Sequence, residues 1–434
     1  MLMKRNKALK EVKGSPSQAL ITGTLAFFIG FAAVALFGTT AHKISSILHL
    51  SIVEIGWLVA IPLVTGSLLR IPFSALVEKY GGKRIILIQL IIALIGMIGI
   101  VITLTLIHKI LYIGYFMLIL FGALAGTGIS AFSSGITYVS YWFSLRKQGL
   151  ALGLFAGIGN TAPGIFTAIL PIALICLGLI GAYVIWSLIL VVGLTIFAIF
   201  GIDAYYFQLR KIYKEKTLEE AKKLGEEIIP TDSALTSLSN ALRIWKVWLL
   251  VIMYLTSFGG FEALTEWLPT YWQEFLHVNI VEAGLLVGVL FSLIAALIRV
   301  LGGWLSDIFG GENVSLVAYI ILLLGSLITL DSFKFTQSII GEIIMALGMG
   351  IANGAVFKLV PKYAYRSVGG ASGLVGGLGS FGGLLLPPIM AYIVNVIGIS
   401  GFAYGFIVFT SLSLVSIIFT LILKRRSDDM NIIQ

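Results

Sequence analysis

The sequence predicts an all-α membrane protein whose 12 transmembrane helices form two pseudo-symmetric halves of six helices each. Three observations predict this fold class. Hydrophobic residues make up 59% of the 434 residues and charged residues only 11%, whereas soluble domains carry about 25% charged residues. The apolar stretches are long enough to cross a bilayer, which takes about 20 helical residues. Two stretches of the first half also recur in the second half, one 229 and the other 220 residues later.

Twelve apolar stretches are predicted as membrane spans, and one long hydrophilic segment separates the first six spans from the last six. We expect an N-terminal half over 1–207, a linker over 208–244 and a C-terminal half over 245–434. The predicted spans are 19–40, 54–77, 85–107, 111–141, 149–172, 179–207, 245–272, 281–305, 314–331, 337–361, 368–395 and 400–423.

Lys and Arg residues gather on one side of this predicted topology. They lie near both termini, in the linker and in the turns after spans 2, 4 and 10, whereas the opposite side carries only Lys43, Lys109 and Lys334. Cytoplasmic loops of membrane proteins are enriched in Lys and Arg. Both termini and the linker are therefore predicted to be cytoplasmic, in a chain that spans the cytoplasmic membrane. The turn after span 8 is an exception, since it carries Asp307 and Glu312 but no cation.

The two halves repeat each other at two places. The stretch RIPFSALVEKYGG (70–82) recurs as RVLGGWLSDIFGG (299–311), and RKQGLALGLFAGIGN (146–160) recurs as RSVGGASGLVGGLGS (366–380). These matches align span 2 with span 8 and span 5 with span 11, so the two halves have the same orientation. Halves of this kind pack around an axis normal to the membrane, with a substrate path between them at the midplane.

Arg70 and Arg299 are the strongest candidates for substrate contacts. Each lies eight residues before the acidic residue of its turn, Glu78 or Asp307, which at ~1.5 Å per residue places it ~12 Å inside the membrane boundary. An arginine at this depth costs at least ~2.5–3.5 kcal/mol on insertion scales and needs a cavity or a partner. No Asp or Glu of spans 1, 2, 4, 5, 8, 10 or 11 lies at that depth. We therefore expect an anion between two unpaired guanidiniums; the alternative is an arginine paired with a buried carboxylate.

Further side chains share the depth of the two arginines, although packing would explain each of them when it is taken alone. These candidates for substrate contact are Asn160, its repeat mate Ser380, Tyr254, Asn353 and Phe132.

Three charged residues of the second half have alternative interpretations. Glu262 and Glu266 are predicted to lie beyond the midplane, toward the outer end of span 7, where they would relay protons or pair at a gate. Lys358, near the cytoplasmic end of span 10, is predicted to reach the lipid headgroups or to guide anions to the inner mouth.

The stretch GIGNTA (157–162) matches a dinucleotide-binding fingerprint, but that fingerprint needs a preceding β-strand and a tight turn. Here a membrane helix and a short basic turn precede it. Small residues four positions apart let membrane helices approach closely, so a helix-packing or gating face is predicted instead. Its glycines are Gly153, Gly157, Gly159, Gly373, Gly376, Gly377 and Gly379.

The one cysteine, Cys176, and four scattered histidines offer no metal-site spacing. We expect no metal, no cofactor, no enzymatic activity and no nucleic-acid partner. The expected partners are a small anion and the lipid bilayer, and the expected state is a monomer.

With these residues in place, the chain resembles the major facilitator superfamily. The stretch LVEKYGGKR resembles that superfamily's cytoplasmic loop motif, with Glu78 where Asp is usual. The stretches WFSLRKQGLALGLFAGIGNTAPG and GLVGGLGSFGGLLLPP are similar to two glycine-rich signatures of the nitrate/nitrite porter family, and GMGIANGAVFKLVP and YLTSFGGF are also similar. The loop-motif residues carried over in both halves are Glu78, Gly81, Arg84, Asp307 and Gly310.

The resemblance implies roles for individual residues. Arg70 and Arg299 would clamp the anion, and Asn160 and Tyr254 would correspond to the family's asparagine and tyrosine. The aromatic rings of Phe132 and Phe258 would sandwich the flat anion. The chain departs from the family at Glu262, Glu266 and Lys358, where uncharged residues are expected, and these departures leave the coupling ion and the exact substrate open.

The resemblance implies a secondary transporter that moves nitrate, nitrite or both by alternating access. The planar forks of two arginines match small flat oxyanions. Two positive charges in an empty apolar cleft would repel each other, which favours nitrate/nitrite exchange, and proton symport stays open. The alternatives are a carboxylate porter of the oxalate/formate kind, a membrane-embedded oxidoreductase and a non-transporting anion receptor.

Overall fold

The computed structural model describes residues 12–213, 217–224, 226, 234–364 and 367–432. Within these residues, eleven continuous helical stretches are long and apolar enough to cross a membrane. They are Pro16–Ala35, Ile52–Tyr80, Gly82–Leu106, Leu111–Ser140, Ala151–Phe200, Trp245–Phe275, Ile280–Phe309, Gly311–Leu330, Phe335–Tyr363, Gly369–Ile397 and Gly401–Arg425. The basic residues Lys4, Arg5, Lys7, Lys10 and Arg366, which contribute to the predicted orientation, lie outside the described residues.

Gly178 divides the longest stretch into two spans. This stretch has 50 residues, which would be ~75 Å long as one helix, against a hydrocarbon layer of ~30 Å. Gly178 interrupts it with φ 71° and ψ 175°, a conformation that glycine adopts without steric strain. Residues 151–177 and 179–200 therefore form spans 5 and 6, and the predicted fold with twelve spans is confirmed.

The repeat between the halves extends to the backbone conformation. Gly81 and Gly310, at equivalent places in the two loop motifs, have φ values of 88° and 82°. Gly398, which ends span 11, has φ 85° and stands 220 residues after Gly178, the same spacing as in the glycine-rich repeat. Positive φ values of this size favour glycine at each of these turns.

Spans 5 and 11 are each interrupted at the same place in the repeat. In span 5 one helix, Leu145–Gly159, ends just before Asn160 and the next begins at Ala162. In span 11 one helix, Val368–Ser380, ends one residue before the next helix, Gly382–Ile397, with Phe381 between them. The fingerprint GIGNTA (157–162) therefore spans the junction of two helices, and no β-strand occurs in the part of the chain that the structure describes. This arrangement excludes a dinucleotide-binding turn.

Span 7 contains two short π-helical segments, Leu255–Gly259 and Tyr271–Phe275, and span 8 contains a third, Leu286–Leu293. Such segments widen the helix and often occur at functional sites. The first of them carries Phe258, next to Tyr254. Because π-helical segments have no clear sequence signature, the sequence predicts the span over 245–272 as a regular helix.

The two halves pack most closely on the side of the membrane opposite the linker, which we call the far side; the side of the linker and the chain ends is the linker side. On the far side, a Cβ atom placed on Gly288 of span 8 would lie 2.5 Å from the carbonyl oxygen of Gly164 in span 5. A Cβ atom on Gly56 of span 2 would lie 2.5 Å from the Cβ atom of Ala391 in span 11. Backbones of opposite halves therefore meet directly on the far side.

The glycines of the predicted packing face do not make such close contacts with the backbone of the other half. Around Gly153 and Gly373, toward the linker side, nothing lies within 4 Å of an added Cβ atom. Gly159 and Gly379 do make close contacts, but with the side chains of Phe27 and Tyr254 rather than with another helix backbone.

The remaining glycines of this face contact side chains of the other spans at 3.2 Å or more, measured from an added Cβ atom. Gly157 lies 3.7 Å from Val300, Gly376 lies 3.6 Å from Phe357 and Gly377 lies 3.2 Å from Ile71. The prediction of close helix packing through Gly153 and Gly373 is therefore wrong for this conformation, because no neighbouring helix comes within 4 Å of an added Cβ atom at either position.

The linker contains three short helices in its described parts: Tyr205–Tyr213, Thr217–Lys223 and Ala234–Leu242. The first of them crosses the predicted boundary at residue 207. Its N-terminus is capped by Glu226, whose carboxylate accepts hydrogen bonds from the backbone N–H groups of Tyr205 and Tyr206. Burial raises the pKa of Glu226 to about 7.

We predict that Gly288→Ala shifts the protein away from this conformation, because the added methyl group overlaps backbone atoms of span 5. Overpacking of this kind costs about 1–3 kcal/mol. Spin labels at Leu177 and Leu285, which are exposed at the far-side ends of spans 5 and 8, should report longer distances in this variant. Gly153→Ala is the matched control and should keep the original distances; equal distances in Gly288→Ala would contradict the assignment of this contact.

Candidate functional site

Arg70 is fully buried near the middle of span 2 and binds groups of the other half of the protein. Its Nη2 atom lies 3.0 Å from Oε1 of Glu262 in span 7, and its Nη1 atom donates to the carbonyl oxygen of Gly376 in span 11 at 2.9 Å. Both carboxylate and guanidinium have no solvent exposure. The prediction of two unpaired arginines is therefore wrong for Arg70, and the alternative, a buried carboxylate partner, is correct.

Residue counting, which follows the Cα atoms, predicts that Glu262 lies farther toward the far side than Arg70, but the two side chains meet. Side chains on a helix lean toward its N-terminus. The N-terminus of span 2 is on the far side, so Arg70 reaches toward that side, whereas span 7 begins on the linker side and Glu262 leans back toward it. The π-helical segment Leu255–Gly259 also shortens the rise between the start of span 7 and Glu262. These effects bring the two side chains to the same depth.

The second oxygen of Glu262 accepts a hydrogen bond from the hydroxyl group of Ser380. Ser380 is fully buried and lies at the interruption of span 11. In this conformation its hydroxyl group serves the carboxylate, while its predicted contact with substrate stays a prediction. Glu262 is thus fixed from two sides, by span 2 and by span 11.

An aromatic layer separates the two arginines. The ring centre of Phe258 lies 5.4 Å from Cζ of Arg70 and 5.6 Å from Cζ of Arg299. The ring of Phe132 lies 5.3 Å from Cζ of Arg70, and Tyr254 stacks on Phe258 at 4.9 Å with an interplanar angle of 9°. Aromatic faces attract cations, so the ring of Phe258 stabilises both guanidiniums, one on each side of the layer.

Arg299 has surroundings that differ from those of Arg70. Among the described residues no carboxylate forms an ion pair with it, and its Nη1 atom is buried without a hydrogen-bond partner. It lines a small gap of about 160 Å³ together with Asn160, Asn353, Phe258 and Phe261. The gap is too narrow in this conformation to hold a water-sized sphere.

Several polar atoms around this gap are buried without a hydrogen-bond partner. They are both amide atoms of Asn160, the carbonyl oxygen of the Asn353 side chain, Nη1 of Arg299 and, beside them, the hydroxyl group of Tyr254. Asn160 and Asn353 are each only 2% exposed. Buried polar groups are nearly always hydrogen-bonded, so their convergence indicates a binding site. Guanidinium and amide donors between aromatic faces suit a small flat oxyanion.

Glu266, one helical turn beyond Glu262, is also fully buried, and neither of its carboxylate oxygens has a hydrogen-bond partner. Its backbone packs against Gly38, just beyond span 1. An ionised carboxylate is costly to bury without a partner, so this environment favours the neutral acid. The sequence suggests the same role for Glu262 and Glu266, but in the structure their environments differ, since only Glu262 contacts an arginine.

The loop-motif residues lie at the linker-side ends of the spans, away from the gap. Beside Gly81, the carboxylate of Asp203 accepts a hydrogen bond at 2.7 Å from the backbone N–H of Lys83. Arg84 lies over the ring of Tyr80 at 5.8 Å. Asp203, just beyond the end of span 6, thus anchors this turn, a role that is not predicted from the sequence.

The second copy of the motif takes its cations from span 10. Lys358 forms an ion pair with Asp307, and Lys362 pairs with Glu312 at 2.6 Å. These pairs explain why the turn after span 8 carries acidic residues without a cation of its own. Lys358 was predicted to reach the headgroups or to guide anions, but in this structure its ammonium group binds Asp307 instead.

Three contributors to the site were missed. The ring of Phe357 lies 5.6 Å from Cζ of Arg299 and 4.9 Å from the ring of Tyr254. Phe261 lines the gap, and the carbonyl group of Gly376 binds Arg70. Phe357 is four residues after Asn353, on the same helix face, which is a signal that could have identified it.

Comparison with known proteins gives the family. Residues 23–364 and 281–432 match the Major Facilitator Superfamily. The chain belongs to the major facilitator superfamily.

Among solved structures of this fold, the Escherichia coli xylose transporter XylE in a partially occluded inward-open conformation matches with a TM-score of 0.71. The alignment covers 94% of this chain and 98% of the transporter at 12% identity. A bacterial homologue of the lysosomal transporter Spinster matches with a TM-score of 0.63, at 15% identity over 95% of this chain and 98% of that one.

Within the superfamily, the chain belongs to the nitrate/nitrite porter family. A probable nitrate transporter, NarT, of Staphylococcus haemolyticus is 30% identical, and the alignment covers 88% of this chain and 90% of the relative. A probable nitrate/nitrite antiporter, NarK1, of Thermus thermophilus is 29% identical over 86% of this chain and 84% of the relative. A nitrite extrusion protein of Bacillus subtilis is 28% identical over 91% of both chains.

We predict that Glu262→Ala destabilises this porter strongly, because it leaves the Arg70 guanidinium buried without its carboxylate. Breaking a buried ion pair from one side costs about 3–5 kcal/mol, which thermal unfolding in detergent should show as a large loss of Tm. The matched control is Glu274→Ala. Glu274 pairs with His42 at the far side, where both side chains are partly exposed, and such pairs contribute about 0–1 kcal/mol. Similar Tm losses in the two variants would contradict this difference.

Proposed function

We propose that this chain moves nitrate and nitrite across the cytoplasmic membrane by alternating access, with its termini and linker in the cytoplasm. One observation carries the choice of substrate: the unpartnered donors of Arg299 and Asn160 converge with Asn353 on a gap bounded by Phe258 and Phe261. Nitrate and nitrite are flat, and each of their oxygens accepts hydrogen bonds from planar donors.

The charge of the site favours a monovalent anion. Glu262 neutralises Arg70, so the two arginines together leave one net positive charge at the gap. While Glu262 is ionised, a dicarboxylate such as oxalate brings two negative charges to a site that balances only one. Oxalate and monovalent formate are both separated from nitrate by the experiment below.

The packing of the halves supports alternating access. Spans of opposite halves meet backbone to backbone on the far side, while Gly153 and Gly373 have open surroundings toward the linker side. A porter needs a second conformation in which this pattern is reversed. A non-transporting receptor would need only one of them, so flux across a membrane separates the two functions.

The prediction of nitrate/nitrite exchange needs a different basis. It relied on repulsion between two unpaired arginines in the empty protein, and Glu262 removes the free charge of one of them. Exchange therefore stays a prediction.

Counterflow in proteoliposomes tests the proposed function. Labelled nitrate outside and unlabelled nitrite inside should give transient accumulation of label, with competition by external nitrite. Competition by oxalate or formate but not by nitrite, or nitrate binding without any flux, would contradict the proposed function.

We predict that Arg299→Lys lowers nitrate transport by about 10- to 100-fold, because lysine cannot reproduce the planar fork and hydrogen bonds to charged groups contribute about 1.5–3 kcal/mol. Arg70→Lys should have a similar effect. Initial uptake rates at equal protein density measure both. The control is Arg243→Lys, at an exposed arginine near the C-terminal end of the linker, and it should keep the wild-type rate. Near-normal rates for Arg70→Lys or Arg299→Lys would exclude the arginine clamp.

We predict that Asn160→Leu makes the protein more stable and less active. Both amide atoms of Asn160 are buried without partners, and removing such groups recovers up to about 1–3 kcal/mol. A higher Tm together with weaker nitrate binding identifies the amide as a substrate contact. A lower Tm would indicate instead that Asn160 has a structural role in span 5.

A further inference from the structure

The ion pair of Arg70 and Glu262 joins the two halves at the depth of the anion site. Arg70 belongs to the N-terminal half, and both groups that accept its hydrogen bonds belong to the C-terminal half: the Glu262 carboxylate, at 3.0 Å, and the Gly376 carbonyl group, at 2.9 Å. Ser380, which holds the other carboxylate oxygen, is in the same half. The charged bridge between the halves is therefore made by the protein itself.

A carboxylate resembles the proposed substrate in the features that Arg70 recognises. It is planar, carries one negative charge and presents oxygen atoms to the guanidinium fork. Of the donors of Arg70, Nη2 binds Glu262 and Nη1 binds Gly376, while Nε is buried without a partner. A planar anion accepts from two neighbouring donors of the guanidinium fork. Because Nε is the donor atom without a partner, an anion that binds Arg70 through two such donors takes the place of Glu262 on Nη2.

We propose that Glu262 is the proton site of this transporter and the built-in counterion of Arg70. In the unloaded protein its carboxylate neutralises Arg70. When the anion binds Arg70, Glu262 takes up one proton and moves away as a neutral acid. This inference rests on the proposed function, because it requires that a small monovalent anion binds between the arginines.

The surroundings of Glu262 explain why it takes up a proton once Arg70 is occupied. Its remaining partner is then the hydroxyl group of Ser380, and an ionised carboxylate without a cation is costly to bury. The nearest ionisable groups on its own span are Glu266, which would add a like charge, and Tyr254. Arg299 of span 8 lies on the other side of the Phe258 ring.

The other spans that pack against this part of span 7 bring no cation to Glu262. Span 1 (Pro16–Ala35) and span 11 (Gly369–Ile397) contain no Asp, Glu, Lys or Arg. In span 10, Glu342 contacts span 7 ten residues farther along, where it accepts a hydrogen bond from the Trp272 indole at 2.7 Å.

The charge balance of this cycle removes the need for a counter-anion. In the unloaded state two arginines and one carboxylate give the site one net positive charge. In the loaded state two arginines, one anion and a neutral acid give the same net charge. Both states can therefore reorient with equal charge, and each turnover moves one anion and one proton in the same direction. A proton gradient then drives net uptake.

Two assays on the full-length protein in proteoliposomes test the inference. The exchange assay measures labelled nitrate uptake against internal nitrite at equal pH. The net-uptake assay has no internal anion and an acidic exterior, with a trapped dye that reports internal pH. The wild-type protein should show exchange, net uptake and acidification of the interior together with the uptake.

In Glu262→Gln the side chain keeps its size but cannot carry the charge or the proton. The ratio of net uptake to exchange should fall about tenfold or more, equivalent to ~1.4 kcal/mol, and internal acidification should disappear. Glu266→Gln is the matched control, with the same change one turn away, and should keep the wild-type ratio. If Glu262→Gln fails to fold, Glu262→Asp, which keeps a titratable group, should still acidify the interior.

The outcomes separate this inference from the function on which it rests. Wild-type exchange without net uptake, or net uptake without proton entry, overturns the role of Glu262 and leaves nitrate transport intact. Retained proton-coupled uptake in Glu262→Gln, or its loss in Glu266→Gln alone, also overturns that role. The absence of both exchange and uptake in the wild-type protein overturns the proposed function itself.

Discussion

An arginine in the middle of a membrane must find oxygen acceptors, because lipid offers none. Arg70 is the clearest case in this protein, since its side chain has no exposure to solvent. The acceptors come from spans 7 and 11, in the opposite half of the chain. This requirement fixes the depth of Glu262, the approach of the interrupted span 11 and the position of the aromatic layer that lies over the guanidinium.

The two arginines are repeat mates in sequence but not in environment. Span 1, which corresponds to span 7 in the other half, contains no acidic residue that could serve Arg299 as Glu262 serves Arg70. The duplicated scaffold therefore supplies two cations and one internal anion. This imbalance gives the gap its residual positive charge and distinguishes the chain from a symmetric clamp with two free arginines.

The fold was predictable from the sequence to a large extent, because long apolar stretches and an internal repeat are strong signals. The repeat also anticipated the equivalent glycine turns at Gly81 and Gly310. It could not show that Gly153 and Gly373 stand apart, since a single sequence describes all conformations of a transporter at once. Depth counting placed Asn160 and Tyr254 near the two arginines; in the structure Asn160 lines the gap beside Arg299 and Tyr254 stacks on Phe258.

Depth counting failed for Glu262, for a physical reason. Long side chains on antiparallel spans lean in opposite directions along the membrane normal, and a π-helical segment changes the rise per residue. Neither effect can be read from residue spacing. The same holds for the Gly376 carbonyl group, whose role depends on where the backbone of span 11 passes. Phe357 differs, because its position four residues after Asn353 places it on the same helix face.

The narrowness of the gap beside Arg299 has a consequence for ion selection. A space that admits no water-sized sphere must widen before it can hold an ion, and it leaves no room for the ion's hydration shell, so the protein must replace that shell with its own donors. Ions that concentrate their charge on one small atom lose the most hydration energy in this step. An ion that spreads one charge over several oxygens loses less, so selection at this site begins with the work of dehydration, before any hydrogen bond to the protein has formed.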